Sequence, residues 1–261
     1  MIKSSLSVLD SYAAAFRDLI NAKVWSRRDK TIRELLCLNK REDWDFLCVA
    51  MDVVEDASAA IRHFLQFGLD GPTRYHDVGE RYLRLYGLLS AAHNQQQAAL
   101  KLVKLMNLPS PQATKAKLDG LDIRGLRHKL ASHSTDYQNP ATQNVETYAP
   151  VRIGLSGFTC VYSKDRGKVF YSLDLEAGIE AHCRVLISVL DAVYAKSIRT
   201  LYKGQGKKLA ELTGRLGDLR TERDGGLVLR QPEGRRFVIH TLADRNLTSR
   251  STGRAKKPRA G

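Results

Sequence analysis

Two long runs of apolar residues at helical spacing constrain this chain more than anything else in it. Across residues 42–67, Phe46, Val49, Val53, Ala57, Ala60 and Phe64 recur in steps of three and four. Across residues 78–106, Tyr82, Leu85, Leu89, Ala92, Gln96, Ala99 and Val103 do the same. That period lays one stripe along a helix and is incompatible with a strand, whose side chains alternate every second residue. Gly68 and Gly71-Pro72 end the first run, and Asn107-Leu-Pro109 breaks the second. Two helices of this length joined by a short Gly/Pro loop pack antiparallel. The expected fold is therefore mainly α.

The flanking segments fill in a bundle. Helical patterns cover residues 6–24 and 29–38 before the pair. A short candidate helix spans 122–133, and a long one at 175–202 places Ile179, Cys183, Leu186, Leu190 and Val193 on one face. Between the last two, β-branched and aromatic runs at 151–155, 158–162 and 168–173 surround the turn Lys164-Asp-Arg-Gly167, predicting a β-hairpin inserted over about 151–173. Beyond Tyr202 the pattern weakens: Gly204, Gly206, Gly214 and Gly217 interrupt a basic helical stretch, each costing helix stability relative to alanine. A small hairpin is expected near 227–240. The resulting division is a helical domain over 1–202 with its inserted hairpin, a basic extension over 203–244, and a basic tail over 245–261 expected to be disordered. No fixed-period repeat suggests a solenoid.

The chain of 261 residues carries a net charge of +14, unevenly spread. Sixteen basic and six acidic residues lie from Arg199 onward, so most of the excess belongs to the last quarter. Such a segment attracts polyanions. The tail residues Arg254, Lys256, Lys257 and Arg259 are candidate nucleic-acid contacts. Tyr and Phe are not interleaved with them, so base stacking there is not expected. Cys37, Cys48, Cys160 and Cys183 are far apart and form no C-x-x-C pair, which points to a reducing compartment and no zinc site. The start lacks a signal-peptide core and no run is long and apolar enough to span a bilayer, so a soluble cytoplasmic protein with no membrane association is expected.

Several chemistries find no support. Gly204-Gln-Gly-Lys-Lys lacks P-loop spacing, and neither G-x-S-x-G nor H-E-x-x-H occurs. His63, His76, His93 and His182 are isolated and suggest no metal set; no metal and no cofactor are expected. Glu55-Asp56 reads as a solvated helix face, and Asn94-Gln-Gln-Gln97 as a polar face or a buried hydrogen-bond cluster.

One segment concentrates basic and titratable groups: Asp122-Ile-Arg-Gly-Leu-Arg-His-Lys-Leu-Ala-Ser-His-Ser134. At about 100° per residue, Ile123, Leu126 and Leu130 share one face, Arg127 and His133 sit at its edges, and His128 and Lys129 point elsewhere. An arginine and an imidazole held at the rim of a groove suit phosphate chemistry. Arg124 and Lys129 are further candidate phosphate contacts.

A bundle of long helices followed by an arginine, a polar residue and a histidine resembles the HEPN domains, whose signature is R-x(4 to 6)-H. Arg127, His128 and His133 match it as R-x5-H, and the likeness covers roughly residues 40–202. A second match, Arg235 to His240, falls in the expected C-terminal hairpin, outside the bundle. The resemblance implies a HEPN-like bundle and a metal-independent endoribonuclease in which Arg127 and His133 are catalytic, with His128 as an auxiliary acid or phosphate donor. It further implies a homodimer whose two motifs meet in one composite site, acting on RNA in a toxin–antitoxin or phage-defence setting, with an antitoxin or defence-complex partner. The alternative is a non-catalytic helical dimer that binds nucleic acid or a protein partner through its basic C-terminal region.

Overall fold

The computed structural model describes residues 4–26, 29–73, 77–230 and 236–240. It is mainly helical, with eight α-helices and small antiparallel sheets among the described residues. The helices are α1 (Ser5–Val24), α2 (Ile32–Leu36), α3 (Asp43–Phe67), α4 (Val78–Leu105), α5 (Pro111–Asp119), α6 (Asp122–Arg127), α7 (Leu175–Leu201) and α8 (Gly206–Arg223). None is long and apolar enough to cross a membrane.

Polar side chains start several of these helices by accepting from otherwise unpaired backbone N–H groups. Ser4 caps α1, Asp77 caps α4 and Asp174 caps α7, while Thr31 and Glu34 form a reciprocal capping box on α2. Helices α3 and α4 run antiparallel: Gln95 donates to the Val54 carbonyl near mid-helix, and Lys101 lies over the Phe46 ring at the end. Helices α1 and α7 run side by side in the same direction, tied by Ser5–Glu180, Tyr12–Asp191 and Tyr202 to the Leu19 carbonyl.

The α4 and α7 stripes are buried as the pattern predicts, except that Tyr82 is only half-buried. The α3 stripe is offset. Leu47, Ala50, Met51, Val54, Ala57, Ile61 and Phe64 face the core, leaving Phe46 and Val49 about half exposed. Apolar residues occur on both sides of this helix, and the contact with α4 selects the side carrying Leu47 and Ile61.

The inserted β segment is larger than the expected hairpin at 151–173. It is a three-stranded antiparallel meander of β3 (Tyr148–Ser156), β4 (Thr159–Lys164) and β5 (Val169–Asp174). A two-residue ladder of β1 (Tyr137–Gln138) and β2 (Val145–Glu146) precedes it. A bulge lies between Pro150 and Leu155, where Gly154 packs under Val161 so closely that a Cβ would fall 2.4 Å from the valine. The sheet is fastened to the end of α3: Leu69 N–H donates to the Gly157 carbonyl at 2.7 Å, and Asp70 accepts from Gly157 N–H at 2.7 Å. Gly68, at φ +59, permits that approach.

The glycines after Tyr202 do not fragment the next helix. Helix α7 ends before Gly204 (φ +81), and α8 then continues unbroken through Gly214 and Gly217. Leu212, Leu216 and Leu219 pack into the common core, while Arg215 pairs with Asp18 and Arg220 with Asp191. Tertiary packing thus overrides the weak local propensity. The hairpin of β6 (Gly226–Arg230) and β7 (Arg236–His240) follows. Arg254, Lys256, Lys257, Arg259 and Arg235 lie outside the described residues.

Candidate functional site

Helix α6 is short because its continuation changes winding. Ile123, Leu126 and Leu130 are buried, as the stripe predicts. Ile123 meets Gly178 of α7, where even an added Cβ would find ordinary contact at 3.8 Å. From His128 to Ser132 the chain forms a single π-helical turn, closed by His133 N–H to the His128 carbonyl at 2.9 Å. An i→i+5 closure brings residues five apart onto one side, where an α-helix would splay them. His128 therefore does not point away from His133: the two rings lie 6.3 Å apart, inclined by only 21°.

Lys129 does not join them. Its ammonium sits among four tyrosine rings, three of the meander at 5.2 Å (Tyr148), 5.7 Å (Tyr162) and 5.8 Å (Tyr171) from their centroids and Tyr137 of β1 at 6.0 Å. A cation over aromatic faces gains about 0.5–2 kcal/mol according to its desolvation. This cage ties the π turn to the sheet. Behind it, Tyr148 O–H donates to Glu146, which also accepts from Lys164 and Asn139. These bonds, Lys164 first, hold the Glu146 carboxyl well below its usual range.

Arg124 is likewise turned inward. It is buried, donating from Nη1 to Gln96 Oε1 at 3.0 Å and pairing through Nη2 with Asp119 at 2.9 Å. It ends a buried polar relay whose direction is fixed from the far side. The Val54 carbonyl can only accept, so Gln95 Nε2 donates to it and to Ser58 Oγ. Gln95 Oε1 then faces His182 Nε2 at 2.8 Å, which makes that nitrogen the N–H. His182 Nδ1 accepts from Gln96 Nε2 at 3.2 Å, leaving Gln96 Oε1 for the guanidinium, which can only donate. The polar run on α4 is thus a buried hydrogen-bond cluster at Gln95 and Gln96. Burial pushes the His182 imidazole down to about 4 and keeps it neutral.

The grouping that remains open is Arg127, His128 and His133, joined by His93 of α4. Arg127 has no carboxylate partner among the described residues; burial, then Arg124, lowers its affinity for a proton. His128 is half-buried, and its imidazole is pushed down by burial, Arg124, Arg127 and His133 against a small opposing pull from Asp119. His133 is more than half exposed, with Nδ1 3.4 Å from Asp136 Oδ1. His93 is pushed to about 4 by burial first, then Arg127, Arg124 and His128. At neutral pH His128 and His93 are therefore uncharged beside the unpaired Arg127 guanidinium. A neutral imidazole can take up a proton, and the guanidinium fork matches phosphate oxygens.

His93 escapes sequence reasoning because its neighbours are on another helix. The one available signal is its position three residues before Gln96, on the side of α4 that faces α6. No group of three or more metal-ligating side chains occurs among the described residues. Cys160 and Cys183 are buried, with thiols pushed up to about 12, and are chemically quiet at neutral pH. No family model, curated protein or solved structure matches this chain.

Proposed function

We propose that this chain is a HEPN-like helical bundle acting as a metal-independent endoribonuclease, cytoplasmic and homodimeric, in a toxin–antitoxin or phage-defence system. The observation that carries the reading is the unpaired Arg127 guanidinium at the end of α6, directly before the turn that brings the His128 and His133 rings together. One imidazole removes the ribose 2′-hydroxyl proton as the oxygen attacks phosphorus. A second imidazole, in its protonated imidazolium form, gives its proton to the departing 5′-oxygen as the P–O5′ bond breaks. The products are a 2′,3′-cyclic phosphate and a 5′-hydroxyl. Arg127 stabilises charge on the non-bridging oxygens. A dimer supplies a second copy of each group.

The test is cleavage of RNA in EDTA by the purified chain. Arg127→Ala and His133→Ala are each expected to reduce the rate at least 100-fold. Cleavage persisting in either variant contradicts the assignment.

The alternative, a non-catalytic module that binds nucleic acid or a partner through its basic C-terminal region, is supported by the charge after Arg199. The α8 arginines 215 and 220 already face Asp18 and Asp191, so this reading depends most on the residues after 240.

A further inference from the structure

We propose that His93 is a third phosphate-contacting residue of this site, its Nε2–H donating to an oxygen of the phosphate held by Arg127. The substrate in this inference rests on the nuclease reading, but the contact is testable without it. His93 stands on α4, a different element from the motif, but one turn before Gln96, whose Oε1 accepts from Arg124 of α6, so its ring is on the side of α4 that meets the helix carrying Arg127; the charges of Arg127 and Arg124 bear on it. Its Nδ1 is buried and has no hydrogen-bond partner. That leaves Nε2 as the nitrogen open to a ligand.

A neutral imidazole carries one proton, and a buried N–H with no acceptor is costlier than an unmet lone pair. The proton therefore belongs on Nε2, which makes the open nitrogen a donor. The ligand chemistry follows from the charges around it. Arg124 is neutralised by Asp119, whereas Arg127 is not, and no carboxylate bears on the His93 ring. Such a setting repels a cation and favours an oxyanion, which the guanidinium fork and one imidazole N–H would grip together.

The experiment uses the full chain with labelled histidine rings, titrated with inorganic phosphate at constant ionic strength and pH 7. A saturable shift of the His93 resonances is expected, lost in Arg127→Ala and retained in His133→Ala. No shift of His93, or a full shift in Arg127→Ala, overturns the proposal. RNA cleavage provides the second arm. His93→Gln places an amide near the Nε2 position and is expected to stay within about tenfold of the parent. His93→Asn places it near Nδ1 and is expected to lose about 100-fold or more, both with unchanged thermal midpoints. Equal losses, or none, overturn the proposed donor. If the parent chain cuts no RNA at all, the nuclease reading fails and the phosphate titration alone decides His93.

Discussion

His182 couples the interior of the bundle to pH. Its folded value near 4 lies below the ordinary 6.5, so the unfolded chain binds its proton first on acidification. The stability it contributes is complete above about 6.5 and is lost as pH falls toward 4, at about 1.4 kcal/mol per pH unit. A drop from pH 7 to 5 should therefore cost about 2 kcal/mol from this residue, and urea unfolding of His182→Gln should show a shallower dependence on pH over that window. Arg124 is the other end of the same relay. Arg124→Met should cost about 1–3 kcal/mol by leaving the buried Gln96 Oε1 without its donor, while Asp119 keeps Lys115, measured by denaturant midpoint. At this scale the sequence shows Arg127, His128 and His133 together because they are neighbours in the chain. It does not show His93, Gln96 or His182, whose roles exist only once α4, α6 and α7 are packed.

Among the elements, the stripes of α4 and α7 were readable because both helices are buried over a broad face, with Leu88, Ala91, Gln95 and Ala98 of α4 buried beside the predicted residues. The stripe of α3 was not, since Phe46 and Val49 compete with Leu47 and Ala50 for the same periodicity. The glycines of α8 mislead for a different reason: Leu212, Leu216, Leu219 and the ion pairs to Asp18 and Asp191 supply what propensity lacks. Gly214 and Gly217 have open space where a Cβ would stand, so Gly217→Ala should stabilise the protein by about 0.5–1 kcal/mol. Gly68→Ala should destabilise it, because the new Cβ would fall 2.6 Å from the Gly157 carbonyl oxygen. The sequence carries no local signal for the π turn, whose Lys129 meets tyrosines 8 to 42 residues further along the chain. Lys129→Met keeps the stem and removes the charge. It should lower the thermal midpoint and perturb the His128 and His133 ring resonances, which a substitution on the far side of the sheet would leave in place.

Across the whole molecule, the charge of +14 separates into spent and unspent parts. Arg215, Arg220 and Arg236 are paired with Asp18, Asp191 and Asp218, and Lys129 is caged in the sheet. The tail at 245–261 holds six basic residues and no acidic ones. Its deletion should flatten the dependence of RNA affinity on salt, because fewer counterions are released, without changing the unfolding midpoint. On this account the tail governs how tightly a polyanion is held, and the π turn with α4 governs whether it is cut. The most direct measurement is end-group analysis of RNA incubated with the purified chain in EDTA. Products with 2′,3′-cyclic phosphate and 5′-hydroxyl ends, absent with Arg127→Ala and with His133→Ala, are the predicted result. Intact RNA, 5′-phosphate ends, or the same products from either variant would contradict it.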